Sequence, residues 1–176
     1  MVLPAIAVAL SAAFTGVASA QTLFQASVSA TGVRGGGPVL SSGCSNGAFY
    51  CGTANIAGYG AASWNLYVTG LTIVPTSCGS LYTATTDFTL ASDGSTLEVD
   101  ESGYICGPGL NANGYFKEGG IPGGIPAYGH PNYPNGTWVV DTAHSTGQFA
   151  GLGGSGTDVL QAAGAHAAGT YSGTLG

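Results

Sequence analysis

The sequence predicts an all-β fold, either a single antiparallel β-barrel of about eight strands or a β-sandwich. Glycine provides 32 of the 176 residues, so good helix formers rarely recur at helical spacing. Apolar and polar residues instead alternate in several short runs, which is the pattern of strands with one buried face. Turn-forming residues separate these runs, as they do in sandwiches and barrels.

The first twenty residues predict a secretory signal that precedes this β domain. Residues 2–14 are almost wholly apolar and lead to the small-residue triplet Ala-Ser-Ala at 18–20. This pattern is typical of a cleavable signal peptide, and the run is shorter than the about 20 apolar residues that span a bilayer. We expect a signal peptide over 1–20, a single domain over 21–176, and a protein that is secreted, extracellular or bound at the cell surface.

Short alternating segments predict the strands. Residues 24–30 are the clearest example, with apolar side chains at the even positions and polar ones between them. Asp93 and Gly94 predict the turn of a hairpin, in whose second arm Leu97 and Val99 are expected to face the core. The seven predicted strand segments are residues 24–30, 64–74, 81–91, 96–105, 137–142, 147–152 and 170–175.

Two Gly/Pro-rich segments interrupt the strand pattern and are predicted as long loops. The first covers residues 32–60, and the second covers 107–136 and repeats Gly-Gly-Ile-Pro. Proline cannot donate to a strand ladder, and glycine raises the entropic cost of order, so neither favours a strand. Loops of this length in a compact domain tend to carry function.

The cysteines predict two disulfides. The mature chain holds four, and an even number in an exported protein indicates paired cysteines. In the predicted hairpin, the residue numbers of two facing residues should add up to about 187. The numbers of Cys78 and Cys106 add up to nearly this value. We therefore expect Cys78–Cys106, which leaves Cys44–Cys51 across the first loop. A zinc site is the alternative, although the chain has no paired C-x-x-C motif with a nearby histidine.

The low charge excludes two classes of partner. Arg34 and Lys117 are the only basic side chains, against eight carboxylates. Binding to nucleic acid or to an anionic membrane surface needs several Lys or Arg residues. No segment after residue 20 matches the apolarity of the first, so we expect no membrane insertion of the mature chain.

The C-terminal segment resembles known barrels. Residues 145–157 read STGQFAGLGGSGT, which is similar to the T-G-x-F-A-G-x-x-G-S-G segment of exported bacterial β-barrel proteins. More distantly, the segment resembles dirigent and allene oxide cyclase barrels, and the resemblance covers residues 137–175. It implies eight antiparallel strands, with 170–175 closing on 23–30, around a small hydrophobic molecule. It assigns no catalytic residue, because it does not reach the N-terminal strands.

No catalytic arrangement is evident along the chain. Asp141 and His144 would point to opposite faces if they lay on a strand, and neither His130 nor His166 has a neighbouring acid. We interpret the acidic hairpin as a solvated face rather than as a calcium site or a glycosidase carboxylate pair. Its four carboxylates are Asp93, Glu98, Asp100 and Glu101. We expect no cofactor and no metal, and we favour a protein that is not an enzyme.

Aromatic residues in and beside the second loop are the candidate binding residues. They are Tyr128, His130, Tyr133 and Trp138, the histidine lying between two tyrosines. Tyr and Trp side chains with few charges nearby can stack on sugars or anchor a protein partner, or they can simply cover a barrel end.

The functional hypothesis is a non-enzymatic extracellular domain with a structural, adhesive or ligand-binding role. Its partner would be a carbohydrate, a small apolar ligand or another copy of the chain. The alternative is a dirigent- or cyclase-like barrel that binds or converts a small hydrophobic molecule. A lumen lined with polar side chains and open at one end would favour that alternative, whereas a filled lumen would favour the first hypothesis.

Overall fold

The computed structural model describes residues 20–33, 44, 47–72, 78–106, 136–163 and 166–176. Eight antiparallel strands in these ranges close into one barrel, as predicted. Within them, no helix is long and apolar enough to cross a membrane. The strands are β1 (Thr22–Val33), β2 (Tyr50–Ile56), β3 (Gly60–Thr72), β4 (Cys78–Leu90), β5 (Thr96–Cys106), β6 (Gly136–Val140), β7 (Gly154–Ala163) and β8 (His166–Leu175), and a 3-10 turn η1 (Gly147–Phe149) lies between β6 and β7.

The last strand closes the barrel on the first. Each strand pairs with the next along the chain, and β8 then pairs with β1. Leu23 lies opposite Thr174, and Val28 lies opposite Gly169. The predicted pairing of the C-terminal strand with residues 23–30 is therefore confirmed. Closure gives every strand two neighbours, which removes the exposed edges that an open sheet would carry.

Alternation along the strands directs mostly apolar side chains into the lumen. In β1, Phe24 and Ala26 are buried while Gln25 and Ser27 are exposed. The same period of two runs through the other strands because successive side chains point to opposite faces of a sheet. Burial of this apolar surface is the main favourable term in the free energy of folding.

The β4–β5 hairpin has nearly the predicted register. Phe88 lies opposite Leu97, so facing residues sum to 185 over most of the ladder. An irregularity near its open end brings Cys78 opposite Cys106. The side chains of these two cysteines lie outside the described residues, so their disulfide stays a prediction.

The smaller disulfide loop is present as predicted. Cys44 and Cys51 are bonded, with their Cα atoms 5.7 Å apart. Because Cys51 belongs to β2, this bond ties the connection that precedes β2 directly to the barrel wall.

Two predicted segments are wrong. The first predicted loop, 32–60, contains strand β2, in which Tyr50, Ala54 and Ile56 are buried at alternating positions despite the nearby glycines. The predicted strand 147–152 is instead η1 and a turn. Gly147 and Gly151 there have φ angles of +59° and +76°, in the left-handed region that breaks a strand. In the second predicted loop, residues 107–135 lie outside the described ranges.

The two ends of the barrel differ in their connections. We call one the short-loop end, where strands are joined by residues 57–59, 91–95 and 141–153. We call the opposite end the long-loop end. Its connections are residues 34–49, 73–77, 107–135 and 164–165.

Candidate functional site

Five polar side chains come together inside the lumen, and we call them the lumen cluster. They are Tyr82 and Thr86 on β4, Glu101 on β5, Asp158 on β7 and Tyr171 on β8. Each is at most 3% exposed. Two carboxyl groups and three hydroxyl groups are thus enclosed in a barrel that is otherwise packed with apolar side chains.

Strand register brings the cluster together about midway along the barrel and toward the long-loop end. Asp158 lies opposite both Gly136, the first residue of β6, and Tyr171. Glu101 lies opposite Trp138 on β6. Because facing residues share one side of the sheet, these side chains all point into the lumen.

Two glycines make room for the cluster. A Cβ atom at Gly136 would overlap the Asp158 carboxyl group and lie 2.6 Å from the Tyr82 hydroxyl oxygen. A Cβ atom at Gly103 would lie 2.8 Å from Tyr82 Cε1. Both positions therefore require glycine for space, and both allow acidic and phenolic groups to lie against the backbone of the neighbouring strands.

Most polar atoms of the cluster lack hydrogen-bond partners in the part of the chain that is described. The Tyr82 hydroxyl donates to Asp158 Oδ2 at 3.4 Å. Both Glu101 oxygens and Asp158 Oδ1 have no such partner, and the same holds for Thr86 Oγ1 and the Tyr171 hydroxyl. Leaving one buried polar group unpaired costs about 1–3 kcal/mol. Native proteins leave few such groups, so five in one place make the lumen cluster the candidate site.

Burial changes the acidity of the two carboxyl groups. Burial, and secondarily the neighbouring Asp158, raises the pKa of Glu101 to about 8. The Thr86 and Tyr171 hydroxyls oppose this rise, although neither makes a well-aligned hydrogen bond with Glu101. Burial also raises the pKa of Asp158, to about 7, against the opposing hydrogen bond from Tyr82. The pair therefore exchanges protons near neutral pH, where ordinary carboxyl groups are fully ionised.

Aromatic rings form the wall beside the cluster. Phe24 meets Trp138 edge-on, with ring centroids 5.4 Å apart, and Phe88 meets Tyr171 edge-on at 5.0 Å. The Trp138 Nε1 group donates to the Thr157 carbonyl oxygen at 3.2 Å, which fixes the indole ring. The lumen thus offers flat apolar surfaces next to hydrogen-bonding groups, the combination found in small-molecule sites.

The structure describes one of the four predicted binding residues. Tyr128, His130 and Tyr133 lie outside the described ranges. Trp138 lies on β6 and is 1% exposed, so it packs in the lumen rather than on an exposed loop platform. Its neighbours Thr137 and Val139 are exposed. This alternation along the strand was the sequence feature that indicated an inward orientation of Trp138.

The expectation that Glu101 lies on a solvated face is wrong, because the residue points into the lumen. Leu97 and Val99 were predicted to face inward, and the same alternation places Glu101 on the inner face. Asp158 follows the same rule between Gly156 and Leu160. The alternation was visible in the sequence, but the convergence of these residues depends on the register of strands that lie far apart in the chain.

A second acidic group, which we call the outer cluster, lies on the outside of the barrel. It contains Asp87, Glu98, Asp141 and His144. His144 Nδ1 lies 2.7 Å from Asp141 Oδ2 and 3.5 Å from Glu98 Oε1. β6 ends at Val140, so Asp141 and His144 lie in a turn, which corrects the expectation that they point to opposite faces.

Ion pairing accounts for the geometry of the outer cluster. The hydrogen bond with His144 lowers the pKa of Asp141, and the same bond raises the pKa of His144. Burial, and then the neighbouring Asp87, raises the pKa of Glu98. One ligand atom each from Glu98, Asp141 and His144 lies within 4.8 Å of the others, so among the described residues these three could hold a metal ion. Their mutual hydrogen bond and ion pairs explain the arrangement equally well without one.

A groove of about 330 Å³ crosses the outer face of β8, β1 and β2. Its outward side chains are uncharged, and they include Gln25, Ser27, Asn55 and Ser172. Its lining also includes Tyr171, whose side chain belongs to the lumen cluster, but no carboxyl group lines it.

No family model matches this chain, and no curated protein or solved structure matches it at a significant level. The resemblance of the C-terminal segment to exported, dirigent and cyclase barrels therefore stays a prediction.

Proposed function

We propose that this protein is an exported, non-enzymatic barrel that binds a small molecule in its lumen, at the lumen cluster. One observation carries the proposal: five buried polar atoms of the cluster have no hydrogen-bond partner among the described residues. A bound molecule that supplied those hydrogen bonds would offset the cost of burying the groups.

A purely structural barrel would not benefit from the lumen cluster. Replacing buried charged groups by apolar residues of similar volume is often neutral or stabilising. Glu101 and Asp158 therefore keep polarity at positions where Leu or Val would serve stability better. Buried acids that reduce the stability of an otherwise apolar core are expected at functional sites.

The disulfide supports the proposed location outside the cell. Cys44–Cys51 is bonded, and disulfides persist mainly in oxidising compartments. Together with the apolar N-terminal segment predicted as a signal, this bond supports secretion or attachment at the cell surface.

Conversion of the bound molecule is the second candidate function. Glu101 and Asp158 have pKa values near neutrality, which is the range in which a general acid or base works best. A chemical change of an added small molecule during incubation with the protein would favour this candidate over simple binding.

Binding can be tested with the two tryptophans of the chain as reporters. Trp64 and Trp138 are both buried in the barrel, so their indole N–H signals in nitrogen-15 NMR report on the lumen. The folded, oxidised protein would be titrated to millimolar concentration with 2-phenylethanol, 2-phenylethylammonium and phenylacetate. These probes share a shape and differ in charge.

We expect at least one probe to shift the Trp138 indole signal, while the side-chain amide signals of Gln25 and Asn55 in the outer groove stay in place. Glu101→Gln/Asp158→Asn should reduce the shift, and the outer-face control Glu98→Gln/Asp100→Asn should not. If no probe moves either indole signal, or if only the groove amides move, the lumen is not a binding site.

A further inference from the structure

The unpaired atoms of the lumen cluster indicate the chemistry of the ligand. Three of the five are carboxyl oxygens, namely both Glu101 oxygens and Asp158 Oδ1. Above the pKa values of the pair, both carboxyl groups are ionised and only accept hydrogen bonds, and the two hydroxyl groups can accept as well. A fitting ligand therefore brings several donors on one atom, and an ammonium group brings three.

The charge of the site favours a cation. Arg34 and Lys117 are the only Lys or Arg residues of the chain, and neither lies in the described ranges. No basic side chain of the described part therefore offsets Glu101 and Asp158. An anionic ligand would add a like charge at low dielectric, whereas a cation would form charge-assisted hydrogen bonds.

The wall of the site favours an organic cation over a metal ion. Calcium takes six to eight oxygen ligands, and magnesium keeps several waters in an octahedral shell. The cluster has two carboxyl groups next to the rings of Trp138 and Tyr171, which are edge-on partners of Phe24 and Phe88. Aromatic rings attract ammonium groups through their faces and accommodate the apolar body of an organic ligand.

On the basis of the proposed function, we propose that the lumen cluster binds a small organic amine as its ammonium cation. The carboxyl groups of Glu101 and Asp158 accept hydrogen bonds from the ammonium nitrogen. The Trp138 ring contacts the apolar part of the molecule.

Binding of a cation should release a proton. A primary alkylamine is protonated below about pH 10, as a lysine side chain is. The ammonium ion favours the ionised carboxylates, so a proton held by the pair leaves to solvent when the ligand enters. Among the described side chains, the other titratable groups that face the lumen are Tyr82, Tyr171 and Tyr50, on β4, β8 and β2. β1, β3 and β6 present apolar and aromatic residues such as Phe24, Trp64 and Trp138.

Calorimetry of the folded, oxidised protein tests the inference directly. The ligands are 2-phenylethylamine, 2-phenylethanol, phenylacetate and calcium chloride, each at pH 5.5 and pH 8. We expect the amine to bind at least tenfold more tightly than the alcohol, and at least tenfold more tightly at pH 8 than at pH 5.5. Its heat of binding should change with the protonation enthalpy of the buffer, because a proton is released.

Two double variants test whether the preference for the amine arises from the lumen cluster. Glu101→Gln/Asp158→Asn should lose at least tenfold in affinity for the amine and keep its weak affinity for the alcohol. Glu98→Gln/Asp100→Asn, on the outer face, should match the unmodified protein. If the double lumen variant does not fold, Asp158→Asn alone and the comparison of ligand charges in the unmodified protein provide the same test.

The outcomes separate this inference from the proposed function. If the alcohol or phenylacetate binds in the lumen as tightly as the amine, the amine inference is overturned and the proposed function stands. Preferential binding of calcium at the lumen cluster would also overturn the amine inference. If none of the organic ligands binds, both are overturned.

Discussion

At the short-loop end of the barrel, Phe149 from η1 covers a part of the lumen that Leu97 and Leu175 line, and all three are almost fully buried. Toward the long-loop end, the corresponding inward positions carry the carboxyl groups of Glu101 and Asp158. Both halves obey the same strand alternation, yet the lumen is lined by apolar side chains at one end and holds two acids toward the other.

The two halves also differ in how their polar groups are paired. At the short-loop end, the Ser95 hydroxyl donates to Asp93 and accepts from the Gln148 backbone N–H group. The Gln148 side chain donates to Asp93 Oδ2 at 2.7 Å, so the loop before β7 is tied to the β4–β5 turn. In the lumen cluster, both Glu101 oxygens lack a partner among the described residues.

This difference separates a part of the barrel that stabilises the fold from a part that reduces its stability. Packed apolar groups and paired polar groups lower the free energy of the folded state. Buried, unpaired acids raise it, which is expected where a protein keeps a binding site. Removing a packed apolar side chain at the short-loop end should therefore destabilise the barrel, whereas removing an unpaired polar group from the lumen cluster should stabilise it.

The largest effect is expected from Phe149→Ala at the short-loop end. Removing a fully buried aromatic ring leaves a cavity and typically costs about 3–5 kcal/mol. Urea unfolding measures the loss, and Val139→Ala, at a position 58% exposed, is the control that should change stability by less than about 0.5 kcal/mol. A loss below about 1 kcal/mol would mean that this end is not packed as described.

The next effect is a fall in stability as the pH rises. The folded protein holds protons on Glu101 and Asp158 up to about pH 8 and 7, whereas the unfolded chain releases them near the ordinary carboxyl range. The stabilisation from these protonated groups is therefore present at low pH and is lost as the pH rises through neutrality. At about 1.4 kcal/mol per pKa unit, these shifts correspond to a loss of several kcal/mol between pH 5 and pH 9.

Urea unfolding at pH 5, 7 and 9 measures this dependence. Glu101→Gln/Asp158→Asn should flatten the profile, because neither replacement ionises. Glu98→Gln should leave most of the dependence in place. Equal or greater stability of the unmodified protein at pH 9 would contradict the burial of the acid pair.

A smaller loss is expected from Gly136→Ala, which adds a methyl group against the acid pair. The new Cβ atom would overlap the Asp158 carboxyl group, and overpacking of this kind costs about 1–3 kcal/mol. In an Asp158→Ala background the same substitution should cost less, because the overlapping group is gone. Gly153→Ala is the matched control, since its nearest atom would be 3.4 Å away. Equal costs in the two backgrounds would show that Asp158 does not occupy this space.

The smallest effect is a gain in stability from Thr86→Val. This nearly isosteric change removes a fully buried hydroxyl group that lacks a partner among the described residues, and it should stabilise the barrel by about 1 kcal/mol. The control is Thr89→Val, because the Thr89 hydroxyl is 3.1 Å from that of Thr96 and the change breaks this hydrogen bond. Destabilisation by Thr86→Val would indicate that its hydroxyl group is paired in solution.

Local pattern predicted most of the fold. The alternation of β1 and the Asp93-Gly94 turn of the β4–β5 hairpin lie in short stretches of sequence, and both are confirmed. β2 was missed because the glycines around it are typical of a loop, although its own residues alternate, and no predicted segment covered β7. The strand predicted over residues 147–152 is wrong because two of its glycines adopt left-handed φ angles. The amino-acid composition of a segment does not show which φ angle a glycine will adopt.

The candidate site was less predictable than the fold. Glu101 lies four residues after Leu97, so strand alternation already placed it on the same inner face. It was interpreted as solvated because acidic residues are rarely buried. Trp138 was placed with the loop aromatics, whereas its own strand carries it into the lumen. The candidate binding residues were chosen for the composition of the second predicted loop, so most of them lie outside the described ranges.

Strand alternation is a local property, so the chain alone shows which face of each strand is apolar and where turns interrupt it. The meeting of Glu101 with Asp158 is not local, because it depends on the registers of β5, β6 and β7 around a closed barrel. A shift of one residue in any of these registers would turn a strand's inner side chains outward. Only the folded barrel therefore decides that two acids far apart in the chain share one buried, partly unpaired site.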